Sequence, residues 1–154
     1  MKNVFTHILL ALAISAIALV SSRADDKTRG AQNRASGPKG GLLLEKTEPK
    51  AEFFLNKDRS AVITFYDAAL KPVPAGAQTA RLVVNAKGGR QQVDFEKKGD
   101  VLLSKTTIAE GDALPVVLQL KSNADAKPQN FRFKLDTSIC GGCKRAEYAC
   151  TCDE

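Results

Sequence analysis

The sequence predicts an all-β chain: a small antiparallel β-sandwich followed by a cysteine-rich C-terminal tail. Three observations carry this. From Leu42 onward, short apolar stretches of period two are separated by turn residues at the spacing of a sandwich or barrel. Beyond the N-terminal apolar run, no stretch has a helical period. All four cysteines lie in the last fifteen residues, as Cys140-Gly141-Gly142-Cys143 and Cys150-Thr151-Cys152. A fold that stapled its core with cysteine would scatter it through the strands.

In chain order, Lys2, the apolar run Ile8 to Val20 and the small residues around Ser22-Arg23-Ala24 read as a signal peptide over residues 1–24, cleaved before Asp25. The run is too short to favour a spanning helix, which needs about 20 apolar residues. This predicts a periplasmic or secreted protein with no stable membrane insertion after signal removal, in a compartment where disulfides persist. Residues 25–36 are polar and aperiodic and read as a disordered leader. Gly37-Pro38-Lys39-Gly40-Gly41 then opens the β-domain, residues 37–137. It reads as a turn feeding the first strand, with a backbone anion-binding nest as the alternative.

Strands are expected at Leu42 to Lys46, Ala51 to Asn56, Ala61 to Tyr66, Thr79 to Ala86, Gln91 to Glu96, Val101 to Ser104, Leu114 to Lys121 and Phe131 to Asp136. In the last of these every odd residue is apolar and every even one charged, so one face is buried and the other wet. Asn56-Lys57-Asp58-Arg59 and Lys87-Gly88-Gly89-Arg90 read as hairpin turns. Lys71-Pro72-Val73-Pro74 is restricted to an edge or crossover, because neither proline can donate a ladder hydrogen bond. The alternating segments end at Asp136, and the tail, residues 138–154, has little apolar surface. The β-domain is therefore expected to fold without it.

Composition narrows the chemistry. The chain has one histidine, His7, which leaves with the signal peptide, so no Ser-His-Asp triad, Cys-His pair or mixed Cys/His zinc finger can form afterwards. There is no phosphate-binding Gly-x-x-x-x-Gly-Lys-Ser/Thr loop. The formal charge of +6 is spread among acids, as in Glu45-Lys46-Thr47-Glu48. Nucleic-acid binding asks for a clustered basic stripe with exposed aromatics, and none is expected. Nothing points to an enzyme.

The tail holds the candidate site. Cys140, Cys143, Cys150 and Cys152 offer four soft ligands. Zinc accepts four thiolates tetrahedrally, and Cys-x-x-Cys is the usual first half of such a site. Cys-x-Cys suits copper(I). Gly141 and Gly142 let the backbone fold back so that sulfurs converge, and the cations Lys144 and Arg145 would offset thiolate charge and lower thiol pKa values. Disulfides are the competing reading. Four cysteines allow three pairings, and Cys140–Cys143 with Cys150–Cys152 is disfavoured because the second ring is very small. Other pairings would cap the last strand and add about 2 to 4 kcal/mol per bridge. A redox-active Cys-Gly-Gly-Cys is a third reading, weakened because no strand-helix-strand pattern surrounds it.

Gly37-Pro38-Lys39-Gly40-Gly41-Leu42-Leu43-Leu44, then Ala51-Glu52-Phe53-Phe54, then Ala61-Val62-Ile63-Thr64-Phe65-Tyr66-Asp67 and Leu70-Lys71-Pro72-Val73 form a pattern. Over residues 37–75 it resembles the small β-domain at the start of periplasmic adaptor subunits of heavy-metal efflux systems. The adaptor loop often carries histidine where this chain has Lys39, so no metal role passes to that loop, and the chain is too short for the adaptors' helical hairpin. The resemblance implies a stand-alone secreted relative of the β-domain, with an envelope protein or efflux component as partner. Together these readings predict a non-enzymatic protein that binds zinc or copper(I) through its four cysteines as an accessory to metal efflux. The alternative is an interaction domain with a disulfide-locked tail.

Overall fold

The computed structural model describes residues 35–152, so the expected signal peptide and all but the end of the expected leader lie outside the described residues. The strands are β1 (Ala35–Ser36), β2 (Leu42–Leu44), β3 (Lys50–Leu55), β4 (Ala61–Tyr66), β5 (Pro72–Val73), β6 (Thr79–Ala86), β7 (Gly89–Lys98), β8 (Val101–Ser104), β9 (Leu114–Lys121) and β10 (Gln129–Leu135). A single 3₁₀ turn, Glu147–Ala149, follows. The fold is all-β, and most strand boundaries fall within two residues of those expected. Ala35 and Ser36, read as the end of a leader, pair with Leu43 and Leu42 instead.

All pairings are antiparallel, in the order β1-β2-β3-β4-β8-β7-β6-β9-β10, with β5 on β4 off this path. Proline explains the position of β5. It pairs only Phe65 and Tyr66 of β4, beside the stretch where β8 pairs Val62 and Ile63, so Pro72 stands at an edge where no amide is required. β7 is the strand on which the sheet turns over. Its first part, Gly89 to Asp94, pairs with β6, and its second, Phe95 to Lys98, pairs with β8. The two packed layers expected of a sandwich are thus the halves of one curled sheet, a half-barrel. Lys87 and Gly88 form the two-residue turn of the β6–β7 hairpin, with Gly89 at φ +118°.

The core lies inside the curl. Phe53 of β3, Ile63 and Phe65 of β4, Leu82 and Val84 of β6, Val93 of β7, Leu118 of β9 and Leu135 of β10 are fully buried. Phe53 meets Phe133 of β10 edge-on, with ring centroids 5.3 Å apart. Along β10, Phe133 and Leu135 point in while Arg132 and Lys134 face solvent, as the alternation requires.

The tail corrects one expectation. Tyr148 and Ala149, in the 3₁₀ turn, are buried members of the core. The Tyr148 ring packs edge-on against Phe53 at 5.9 Å, its hydroxyl accepts the Leu55 N–H at 3.1 Å, and its own amide donates to the Asp136 carbonyl at 3.0 Å. The turn touches both β10 and β2, so the tail fills the mouth between the two ends of the curled sheet. It does contribute apolar surface, and a chain ending at residue 137 would leave the Phe53 ring without this cover.

Candidate metal centre

The four cysteines are delivered by two local structures. After β10, Asp136 accepts the Ser138 N–H at 3.0 Å and hydroxyl at 2.6 Å, turning the chain out of the sheet. Ile139 and Ala146 then form an isolated antiparallel bridge. Within it the Cys140 amide donates to the Arg145 carbonyl at 2.8 Å, and the Lys144 amide returns to the Cys140 carbonyl at 3.1 Å. This tight loop presents Cys140 and Cys143. It reverses at Lys144, whose φ is +59°, so the left-handed residue follows the Cys-Gly-Gly-Cys segment. The second pair follows the 3₁₀ turn. Cys150 leaves that turn with extended backbone, φ −66° and ψ 137°, and alternate side chains of an extended chain share one side. Cys-x-Cys therefore aims Cys150 and Cys152 the same way, and the burial of Tyr148 and Ala149 holds them against the first pair.

The four sulfurs lie within 4.8 Å of one another. Cys140 and Cys152 Sγ are 3.8 Å apart, Cys143 and Cys150 3.6 Å, and Cys140 and Cys150 3.2 Å. A tetrahedral zinc with bonds of about 2.3 Å places its sulfurs about 3.8 Å apart, so these three pairs are at or inside that spacing and the group is close enough for four sulfurs to share one ion. No sulfur pair is at the roughly 2.05 Å of a disulfide. Cys140 is buried, Cys143 and Cys150 are half-buried, and Cys152 is exposed, so an ion can enter from the Cys152 side.

Of the two glycines, Gly142 is the one the geometry needs. A Cβ there would lie 2.9 Å from Cys152 Sγ, whereas one on Gly141 would meet nothing. Gly142→Ala should therefore weaken metal binding by about tenfold, equivalent to roughly 1.4 kcal/mol, with Gly141→Ala close to wild type. Competition with a chromogenic chelator reads both.

The thiols are unequal. Backbone hydrogen bonds, foremost from Arg145 and also from Thr151, bring Cys143 from 9.0 down to about 6. Hydrogen bonding with Cys140 is the main cause pushing Cys150 up to about 12, and contact with Cys143 the main cause raising Cys152. The lowering at Cys143 thus comes from peptide amides and not, as the sequence suggested, from the charges of Lys144 and Arg145. In reduced, metal-free protein, Cys143 should alkylate first. Its rate should rise with pH through about 6, while Cys150 stays protonated and slow at neutral pH. Peptide mapping after brief iodoacetamide treatment at a series of pH values checks the order.

The Gly-Pro-Lys-Gly-Gly loop proves to be both a turn and a nest. It joins β1 to β2, and its anion is internal: the Glu52 carboxylate, fully buried on β3. Oε1 accepts the Gly41 N–H at 2.7 Å and the Lys39 N–H at 3.0 Å, and Oε2 accepts the Tyr66 hydroxyl at 2.6 Å. A Cβ on Gly37 would overlap the Glu52 carboxyl carbon, which is why glycine stands there. Burial foremost, and then the bond to Glu52, push the Tyr66 phenol far above its ordinary range. Neither Glu52 nor Tyr148 stands out as a key residue in the sequence. The available signals were an acid inside an apolar strand and a lone aromatic between the two cysteine pairs.

No known protein family, curated protein or solved structure matches this chain.

Proposed function

We propose that this is a non-enzymatic, exported protein of the periplasm or medium that binds one soft metal ion through Cys140, Cys143, Cys150 and Cys152. The observation that carries the reading is the convergence of four sulfurs to within 4.8 Å of one another, from two segments each held by its own backbone hydrogen bonds. Four thiolates favour zinc, and copper(I) is the alternative because of its strong preference for thiolate. The resemblance of residues 37–75 to the β-domain of efflux adaptors supports a place beside metal efflux, with an envelope or efflux protein as partner.

Reduced protein purified anaerobically should take up one zinc, or at least one copper(I), per chain, and cobalt(II) should give the absorption of a tetrahedral thiolate site. Binding displaces thiol protons, most of all from Cys150 and Cys152, whose pKa values are raised. Affinity should therefore fall as pH is lowered and protons compete for sulfur. Exported protein with all four thiols blocked to alkylation, and indifferent to metal after gentle reduction, would overturn the proposal in favour of a disulfide-locked tail.

A further inference from the structure

A second feature adjoins the cysteine cluster. A groove of about 490 Å³, within the size range of ligand clefts, runs between the Gly-rich loop, the β3–β4 turn and the cysteine loop. Its lining includes Lys39, Lys57, Arg59, Lys144 and Arg145, and no carboxylate among the described residues. Two of these cations are held in place without a counter-ion. Lys39 Nζ donates to Thr64 Oγ1 at 3.1 Å, and the Arg59 guanidinium donates to the carbonyls of Ile108, at 2.8 Å, and Ala109. Among the described residues the side chains of Lys57 and Lys144 make no hydrogen bond or ion pair. Asp58, the acid of the β3–β4 turn, is bent back onto the Ser60 amide at 2.9 Å and hydroxyl at 2.6 Å.

Five cations gathered from three segments repel one another unless something negative lies between them. A purely inorganic anion would leave one feature unused: Ile139, a lining residue and 65% exposed, presents an apolar surface beside the charges. We infer that the groove binds a short acidic peptide segment of a partner protein, with carboxylates among the lysines and arginines and one apolar side chain on Ile139. Charge complementarity selects and orients such a partner, and Lys144 and Arg145 bring it against the loop that carries Cys140 and Cys143.

The test uses the full exported chain and a fluorescein-labelled peptide of glutamates flanking one leucine, followed by anisotropy. The peptide should bind, and binding should weaken steadily as salt is raised. Lys57→Glu should cost about tenfold in affinity, a charge reversal at an unpaired site. Ile139→Ser should cost about threefold. Lys87→Glu, on the β6–β7 turn outside the groove, should leave binding unchanged. Circular dichroism confirms that each variant is folded. The inference fails if the peptide does not bind, or if binding ignores Lys57→Glu. It fails too if tripolyphosphate competes as well as the unlabelled peptide while Ile139→Ser has no effect, which would make the groove a general anion site. Binding that appears only after removal of Asp153 and Glu154 would also overturn it, since the occupant would then be the chain's own end.

Discussion

Serine at Cys140 and Cys143 together should abolish metal binding, lowering affinity by a thousandfold or more, because about four ligands are needed to hold the ion and two exposed or half-buried thiolates do not outcompete a chelator. The same substitution should remove a thermal stabilisation. A bound ion would tie the loop at Cys140–Cys143 to the segment Cys150–Cys152, and these flank the turn that places Tyr148 and Ala149 in the core. An ion that binds only the folded state at a thousand times its dissociation constant adds about 4 kcal/mol. For a domain of this size that corresponds to roughly 10 to 20 °C in Tm. Differential scanning calorimetry with and without zinc should show this shift in wild type and none in the double variant. A shift that survives in the variant would place the stabilising ion elsewhere. An unchanged wild-type Tm with metal bound would mean that the tail is held by Tyr148 alone.

Glu52→Ala should be as destabilising as truncating a buried aromatic of the core, although it removes no core hydrocarbon. It leaves the amides of Lys39 and Gly41 and the Tyr66 hydroxyl without their acceptor in a buried site, and each unsatisfied donor costs about 1 to 3 kcal/mol. The loss of roughly 3 to 5 kcal/mol is a large part of the 5 to 15 kcal/mol typical of a whole domain. Denaturant unfolding should show a much lower midpoint or loss of cooperativity. Glu52→Gln keeps the side-chain length and one carbonyl acceptor and should recover part of the loss. A Glu52→Ala protein as stable as wild type would mean that the loop re-satisfies its amides from water, and that the nest is not what fixes β1 and β2 to the sheet. Neither Glu52 variant alters a cysteine, so the metal stoichiometry of any folded fraction should stay at the wild-type value.

The local elements were legible because their signals are local. The alternation in Phe131-Arg132-Phe133-Lys134-Leu135 gives the buried face of β10 directly, and the prolines at 72 and 74 exclude a central strand. What escaped was every feature that depends on two distant segments meeting. The Gly-rich loop has the same composition whether it is a bare turn or a clasp, and only the pairing of β2 with β3 brings Glu52 beneath its amides. Tyr148 looks like a tail residue until the curl of the sheet leaves a mouth for it beside Phe53.

The cysteine cluster divides in the same way. The sequence by itself determined an all-β chain with four soft ligands in a short tail, because strand periodicity and ligand type are properties of neighbouring residues. Tertiary structure alone decided that the four sulfurs converge to within 4.8 Å of one another. Cys-x-x-Cys and Cys-x-Cys are brought together by Tyr148 and Ala149, whose burial between the ends of a curled sheet depends on long-range packing that no spacing of cysteines encodes.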